Sequence, residues 1–258
     1  MIPAAPSWGL NSRFYLPNED AAVVCTALRL LDRPVRRPVF VGGSGMLLLE
    51  AAVALPALER ATFVDIAPFQ TEYFQRLVRA IEGAESTDAL RAWFCLSVCP
   101  ELKNHYRRRG RRYNLGNILA ALTEHFGLSF FFDEDAFHRV QRALASIDTV
   151  QDDIGSYLLG TGVRHDFIYL SNVPDYLPRK DMETLFEACR AQKAPVYLLL
   201  TEACRDQEAV RQAWAMAGYV PHPAIHELNR HNRGLGSATN GKHWNRPGFI
   251  WLLLPGEN

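Results

Sequence analysis

Val39-Phe-Val-Gly-Gly-Ser-Gly-Met46, followed after a helix-forming run by Ala61-Thr-Phe-Val-Asp-Ile66, decides how this chain folds. A short β-branched and aromatic strand ends in glycines, a helix starts at once, and a second strand closes on Asp65. That acid lies twenty residues beyond Gly45. The order is that of a βαβ nucleotide site. Glycines admit the ligand close to the backbone, the helix N-terminus offers free N–H groups, and the acid accepts from two ribose hydroxyls. Gly42, Gly43, Ser44, Gly45, Asp65 and the adjacent Ile66 are therefore the expected ligand-binding residues.

The glycine pattern narrows the ligand. A dinucleotide fingerprint needs a third glycine where Leu48 stands, and no phosphate-cradling lysine follows the loop. A loop without a pyrophosphate pocket suits S-adenosylmethionine (SAM), which carries adenosine and no phosphate. A tight strand–helix turn without a ligand is the bland alternative. Gly-Gly-Ser-Gly is entropically costly, however, unless positive φ or close approach requires it.

Working outward, helices are expected at 18–31, with Asn18 as N-cap and Glu19 and Asp20 in the first turn, at 45–55 and at 68–82. Strands are expected at 38–41, 61–66, 149–151, 166–170, 195–200, 219–220 and 249–254, with further helices to Leu159 and over 181–192 and 206–217. Residues 1–17 read as an aromatic arm, and 84–146 as a helical insertion containing the basic run 107–112. The expectation is one SAM-binding domain over 1–258. It has an α/β, Rossmann-like class I methyltransferase fold: a mainly parallel seven-stranded sheet with one antiparallel edge strand.

Composition bounds the function. Lys plus Arg and Asp plus Glu are 28 each, so overall charge points to no nucleic-acid partner. Five cysteines, odd in number and unevenly spaced, read as reduced thiols. Without a secretory signal or a run of ~18 apolar residues, the expectation is a cytoplasmic enzyme acting on a small molecule, with no membrane span. His222, His226 and His231 lack a matched cysteine or paired acid, and Cys95 and Cys99 alone are a weak signal, so no metal is expected.

Two segments extend the reading. Val64-Asp-Ile-Ala-Pro-Phe-Gln70 and Asp166-Phe-Ile-Tyr-Leu-Ser-Asn-Val-Pro-Asp-Tyr176 resemble the motifs flanking the SAM pocket in 3-amino-3-carboxypropyl transferases of the betaine-lipid-synthase type, with Ala67 where that family has Asn. The resemblance covers roughly 39–82 and 130–200 at a coarse level. It implies SAM as substrate, attack at the γ-carbon of its methionine portion, and release of 5′-methylthioadenosine. Azetidine-2-carboxylate synthase, a small relative, would turn the α-amine of SAM onto its own γ-carbon. A methyltransferase releasing S-adenosylhomocysteine and a non-catalytic SAM- or nucleoside-binding protein are the alternatives.

Gln70, at the start of the helix after Asp65, is within expected reach of the ligand. Asp152 and Asp153 follow the third strand, where a carboxylate can accept from the adenine amino group, or simply cap the next helix. Ser171 and Asn172, at the end of the fourth strand, are expected to hold the amino or carboxylate end of SAM. Asp175 or Tyr176 would orient the attacking amine or accept its proton, which makes Asn172, Asp175 and Tyr176 the expected catalytic group. In the arm, Trp8, Phe14 and Tyr15 could face the sulfonium, and Asn11 and Arg13 its carboxylate. The loop 229–245 is long enough to act as a lid.

Overall fold

The computed structural model describes residues 14–17, 19–107, 115–201, 204, 206–230 and 248–256. Seven strands form one sheet: β1 (Pro38–Val41), β2 (Ala61–Asp65), β3 (Ile147–Gln151), β4 (Phe167–Ser171), β5 (Val196–Thr201), β6 (Tyr219–Pro221) and β7 (Gly248–Pro255). Their order is β3-β2-β1-β4-β5-β7-β6. The first five are parallel, while β7 runs antiparallel to both β5 and β6. The expected fold class is the one observed. The antiparallel strand lies at the β5 side of the sheet, one place in, with β6 outside it.

Strand order reverses between β1 and β4, which pair Val39 with Ile168 and Phe40 with Tyr169. In an open α/β sheet the crevice beyond the strand ends at that point is where ligands bind. Alternation along the strands builds two unlike faces. Phe40, Phe63, Phe167, Tyr169 and Tyr197 point to one side, where Tyr169 stacks between Phe40 and Tyr197 at 4.8 and 5.2 Å between ring centroids. Val39, Val64, Ile168, Leu170, Val196 and Leu198 point to the other.

The aromatic face is covered by α1 (Ala21–Arg29), α2 (Met46–Ala54), α3 (Pro68–Gly83), α4 (Thr87–Trp93), α5 (Cys99–Arg107), α6 (Leu115–Glu124) and α7 (Glu134–Ala143). The aliphatic face is covered by α8 (Ile154–Gly160), α9 (Arg179–Gln192) and α10 (Gln207–Met216). A π-helical turn, Phe94–Val98, joins α4 to α5. The described residues of 84–146 are largely helical, and they are tied to the βαβ unit. Glu50 of α2, buried and pushed up in pKa by that burial, accepts from the Ser129 hydroxyl and the Phe130 N–H. Gln141 donates to the carbonyls of Ile81 and Ala84 at 2.9 and 3.0 Å.

One boundary differs in a way that bears on the site. Helix α1 begins at Ala21, because Asp20 is extended (φ −76°, ψ 127°) and its carboxylate accepts from the Ala22 N–H at 2.8 Å. Asp20 is thus the cap, and Glu19 stands before the helix instead of in its first turn. Asn18, expected as the cap, lies outside the described residues, as do Trp8, Asn11, Arg13 and all of 231–247. The basic run 107–112 is outside too, apart from the backbone of its first residue. Among the described residues no helix is long and apolar enough to cross a membrane.

Candidate functional site

A cleft of about 1010 Å³, part of it open to solvent, lies beyond the carboxyl ends of β1, β2 and β4. Its floor is the glycine loop. Gly42, Gly43 and Gly45 take φ of 59°, 68° and 73°, left-handed values that L side chains resist. The loop is anchored on both sides: the Gly42 N–H donates to the Val64 carbonyl at 2.8 Å, and Gly45 caps α2. Ser44 is buried beneath, its hydroxyl 3.4 Å from the Met46 N–H. A Cβ on Gly42 would sit 2.7 Å from an Asp65 carboxylate oxygen, so glycine is what lets that carboxylate come so close.

Asp65 ends β2 at the cleft wall beside Ile66. One oxygen accepts from the Ala67 N–H at 2.7 Å. Burial pushes its pKa up to about 7, against the opposing pull of the Ala67 and Gly43 N–H groups. A buried carboxylate beside a glycine loop, with lone pairs left to offer, matches what a ribose diol needs from an acceptor.

Asp152 and Asp153 follow β3 and both line the cleft. Asp153 caps α8 by accepting from the Ser156 N–H at 3.1 Å. One Asp152 oxygen accepts from the neighbouring Asp153 N–H at 2.8 Å, a bond local to the turn and not part of the helix cap. The helix-cap reading therefore belongs to Asp153, and Asp152 is the better placed of the two to accept from a ligand.

At β4, Ser171, Asn172 and Tyr176 line the cleft. Ser171 holds a left-handed φ of 49°, unusual for a residue with a side chain and of the kind found at functional sites. The Asn172 amide donates to the Tyr176 hydroxyl at 3.2 Å. Two expectations need correction here. Asp175 is not among the residues lining the cleft: its carboxylate accepts from the Thr201 N–H at 3.2 Å and from the Thr201 hydroxyl, pinning the turn after β4 to the end of β5. Gln70 is fully buried behind the loop, not in the cleft. Its amide oxygen accepts from the Phe14 N–H at 2.7 Å, while its amide nitrogen donates to the Phe14 and Gly43 carbonyls.

Gln70 therefore ties the arm to the glycine loop. Phe14 and Pro17 of that arm line the cleft, whereas Tyr15 packs edge-on to Phe69 and Tyr73 at 5.4 and 5.6 Å. Gln70→Ala would remove the side-chain partner of two half-buried carbonyls and one N–H. The expected cost is about 1–3 kcal/mol in denaturant unfolding; unchanged stability would mean the arm is not held this way.

Sequence reasoning missed Tyr169 and Glu19. The Tyr169 ring lines the cleft, and its hydroxyl donates to Glu19 at 2.8 Å. A tyrosine inside a buried strand reads as core, and Glu19 read as a helix-start acid. Only the fold brings them together. His222 accepts from the Ala224 N–H at 3.0 Å, a turn contact, and among the described residues no three His, Cys, Asp or Glu side chains gather around a common point.

No protein-family model matches this chain, and no curated protein matches it in sequence. Among solved structures it is similar to the N-methyltransferase NodS from Bradyrhizobium japonicum WM9 in complex with S-adenosyl-L-homocysteine. The identity is 13% and the TM-score 0.49, over 97% of this chain and 96% of that one. It is similar also to magnesium protoporphyrin IX methyltransferase (ChlM) from Synechocystis PCC 6803 with bound SAM, at 9% identity and TM-score 0.45, over 91% and 78% of the two chains. A third is the StiE O-MT, at 10% identity and TM-score 0.49, over 92% and 74%. The strand order of the sheet itself defines this chain as a Rossmann-like α/β protein of the class I methyltransferase fold.

Proposed function

We propose that the chain is a SAM-dependent transferase reacting at the γ-carbon of the methionine portion of SAM and releasing 5′-methylthioadenosine. The observation that carries the SAM assignment is the cleft at the β1/β4 switch point. It presents a carboxylate (Asp65) beside a phosphate-free glycine loop, a second carboxylate (Asp152) after β3, and a run of polar groups after β4. In this reading Asp65 takes the ribose hydroxyls and Asp152 the adenine amino group. Ser171 and Asn172 lie at the methionine end.

The choice of carbon rests on that methionine end. Val41 stands where many methyltransferases carry an acid, so the amine must be held from another direction, and β4 offers Ser171, Asn172 and Tyr176. In the intramolecular form the α-amine nitrogen bonds to the γ-carbon as the γ-carbon–sulfur bond breaks. The electron pair stays on sulfur, giving neutral methylthioadenosine, and the nitrogen sheds one proton. Tyr176, at 37% exposure, borders the mouth of the cleft, where that proton can pass to water. With Asp175 committed to Thr201, Asn172 and Tyr176 remain to orient the amine at near-attack distance. The same opening admits a second substrate, and that favours methyl transfer to an acceptor as the runner-up.

Incubating the pure protein with SAM alone and resolving products by mass spectrometry separates these readings. Methylthioadenosine formed in step with azetidine-2-carboxylate is the expected result. Intact SAM would overturn cyclisation and direct attention to an acceptor, with methylthioadenosine or S-adenosylhomocysteine as leaving product deciding which carbon reacts.

A further inference from the structure

Glu19 is the one carboxylate among the described residues that is almost fully buried yet incompletely satisfied. It is 5% exposed, and among the described residues its Oε2 atom makes no direct hydrogen bond, although the buried Tyr197 hydroxyl lies against the same carboxylate. Its Oε1 accepts from the hydroxyls of Tyr169 at 2.8 Å and Ser171 at 2.7 Å. Both donors line the cleft, at the β4 end where the methionine portion of SAM would lie. Burial raises the Glu19 pKa against the opposing pull of the Ser171, Tyr197 and Tyr169 hydroxyls, and the Asp175 charge adds the smallest share to the rise. A buried polar atom left without a partner costs free energy that a fold does not ordinarily accept without a use for the group.

The hydroxyls carry the consequence. Each has one proton to give, and each gives it to Glu19. For the Ser171 proton, the Asn172 oxygen at 3.4 Å is the weaker competitor. With those protons committed, the Tyr169 and Ser171 oxygens can act toward the cleft only as acceptors. Two acceptors backed by a buried carboxylate match a ligand end that brings donors and positive charge, which is what an ammonium brings and a carboxylate does not.

We propose that Glu19 is a positioning residue that sets the Tyr169 and Ser171 hydroxyls as acceptors and makes this end of the cleft selective for the ammonium-bearing part of the ligand. This rests on the SAM reading above and adds which residue supplies the charge that Val41 does not. Glu19 acts through the two hydroxyls, so its removal should change which ligands bind, not only how stably the chain folds.

Calorimetric binding of SAM, S-adenosylhomocysteine and 5′-methylthioadenosine to the parent chain, Glu19→Gln and Tyr169→Phe tests this. The first two ligands carry the α-ammonium and the third does not. Glu19→Gln should weaken SAM and S-adenosylhomocysteine by about tenfold or more while leaving methylthioadenosine within about twofold. Tyr169→Phe keeps the ring stacked on Phe40 and Tyr197 and leaves Glu19 in place; it should show the same selectivity to a smaller degree. Equal losses for all three ligands, or none, would overturn the proposal. If the parent chain binds none of them, the SAM reading itself falls and takes this inference with it, a result distinct from binding that Glu19→Gln leaves unselective. Should Glu19→Gln unfold, Tyr169→Phe decides the matter alone.

Discussion

Asp65→Ala is expected to lose at least about a hundredfold in affinity for adenosine and for SAM, the largest effect on binding of any single change in the cleft. A carboxylate that accepts from both ribose hydroxyls makes two charge-assisted hydrogen bonds, each worth about 1.5–3 kcal/mol, and alanine makes neither. Asp65→Asn separates charge from shape. It preserves the acceptor for the Ala67 N–H, yet leaves a carbonyl oxygen where the second hydroxyl needs an anion. Retention of adenosine affinity in either variant would remove Asp65 from the ribose role.

The same residue makes binding depend on pH, with a sign that follows from its burial. The pKa of about 7 lies well above the ordinary aspartate range, so between the two values the folded chain holds a proton that the unfolded chain has lost. Stability from this group is therefore full below the ordinary range and declines as pH rises toward 7. Binding runs the other way. The ribose needs the ionised form, so affinity should fall about tenfold per pH unit below about 7, and binding near pH 6 should release a proton. Adenosine is the probe of choice, since it lacks the methionine amine that would titrate alongside. Calorimetry in buffers of different ionisation enthalpy reads the proton directly; affinity flat between pH 5 and 8 would contradict the assignment.

How far the sequence led can be judged from particular residues. Strand positions and the glycine loop were legible, because alternation, β-branched runs and glycine clusters are local signals of structure. So was Asp65, whose spacing from the glycines is fixed by one helix. Gln70 and Asp175 were placed by motif in the right neighbourhood and given the wrong direction. Gln70 lies at the start of α3, and only the packing of the arm decides that its amide faces Phe14 and Gly43. Asp175 follows β4, and its partner Thr201 is on the next strand over. Glu19 was illegible for the same reason on a larger scale: it meets Tyr169 and Ser171 across about 150 residues of chain, a contact no local pattern encodes.

The glycines of the loop should divide into one that holds the fold and one that admits the ligand. A Cβ on Gly45 would lie 2.1 Å from the Phe74 ring, which is fully buried and stacked on Phe63 at 4.3 Å between centroids. That ring has no way to retreat without opening the core beneath β2. Gly45→Ala therefore combines a left-handed penalty of about 1–2 kcal/mol with an overpacking cost of about 1–3 kcal/mol. A loss of about 2–5 kcal/mol in denaturant unfolding is expected, the largest effect on stability among these changes. Gly43 has an equally left-handed φ, yet a Cβ there meets nothing within 4 Å, because it projects into open space. Gly43→Ala should cost only the backbone term of about 1–2 kcal/mol and fold, while the added methyl occupies room at the cleft floor and lowers adenosine affinity. Similar stability losses in the two variants would mean that Phe74 does not close over Gly45. A Gly43→Ala chain that bound adenosine as the parent does would move the ligand away from the loop.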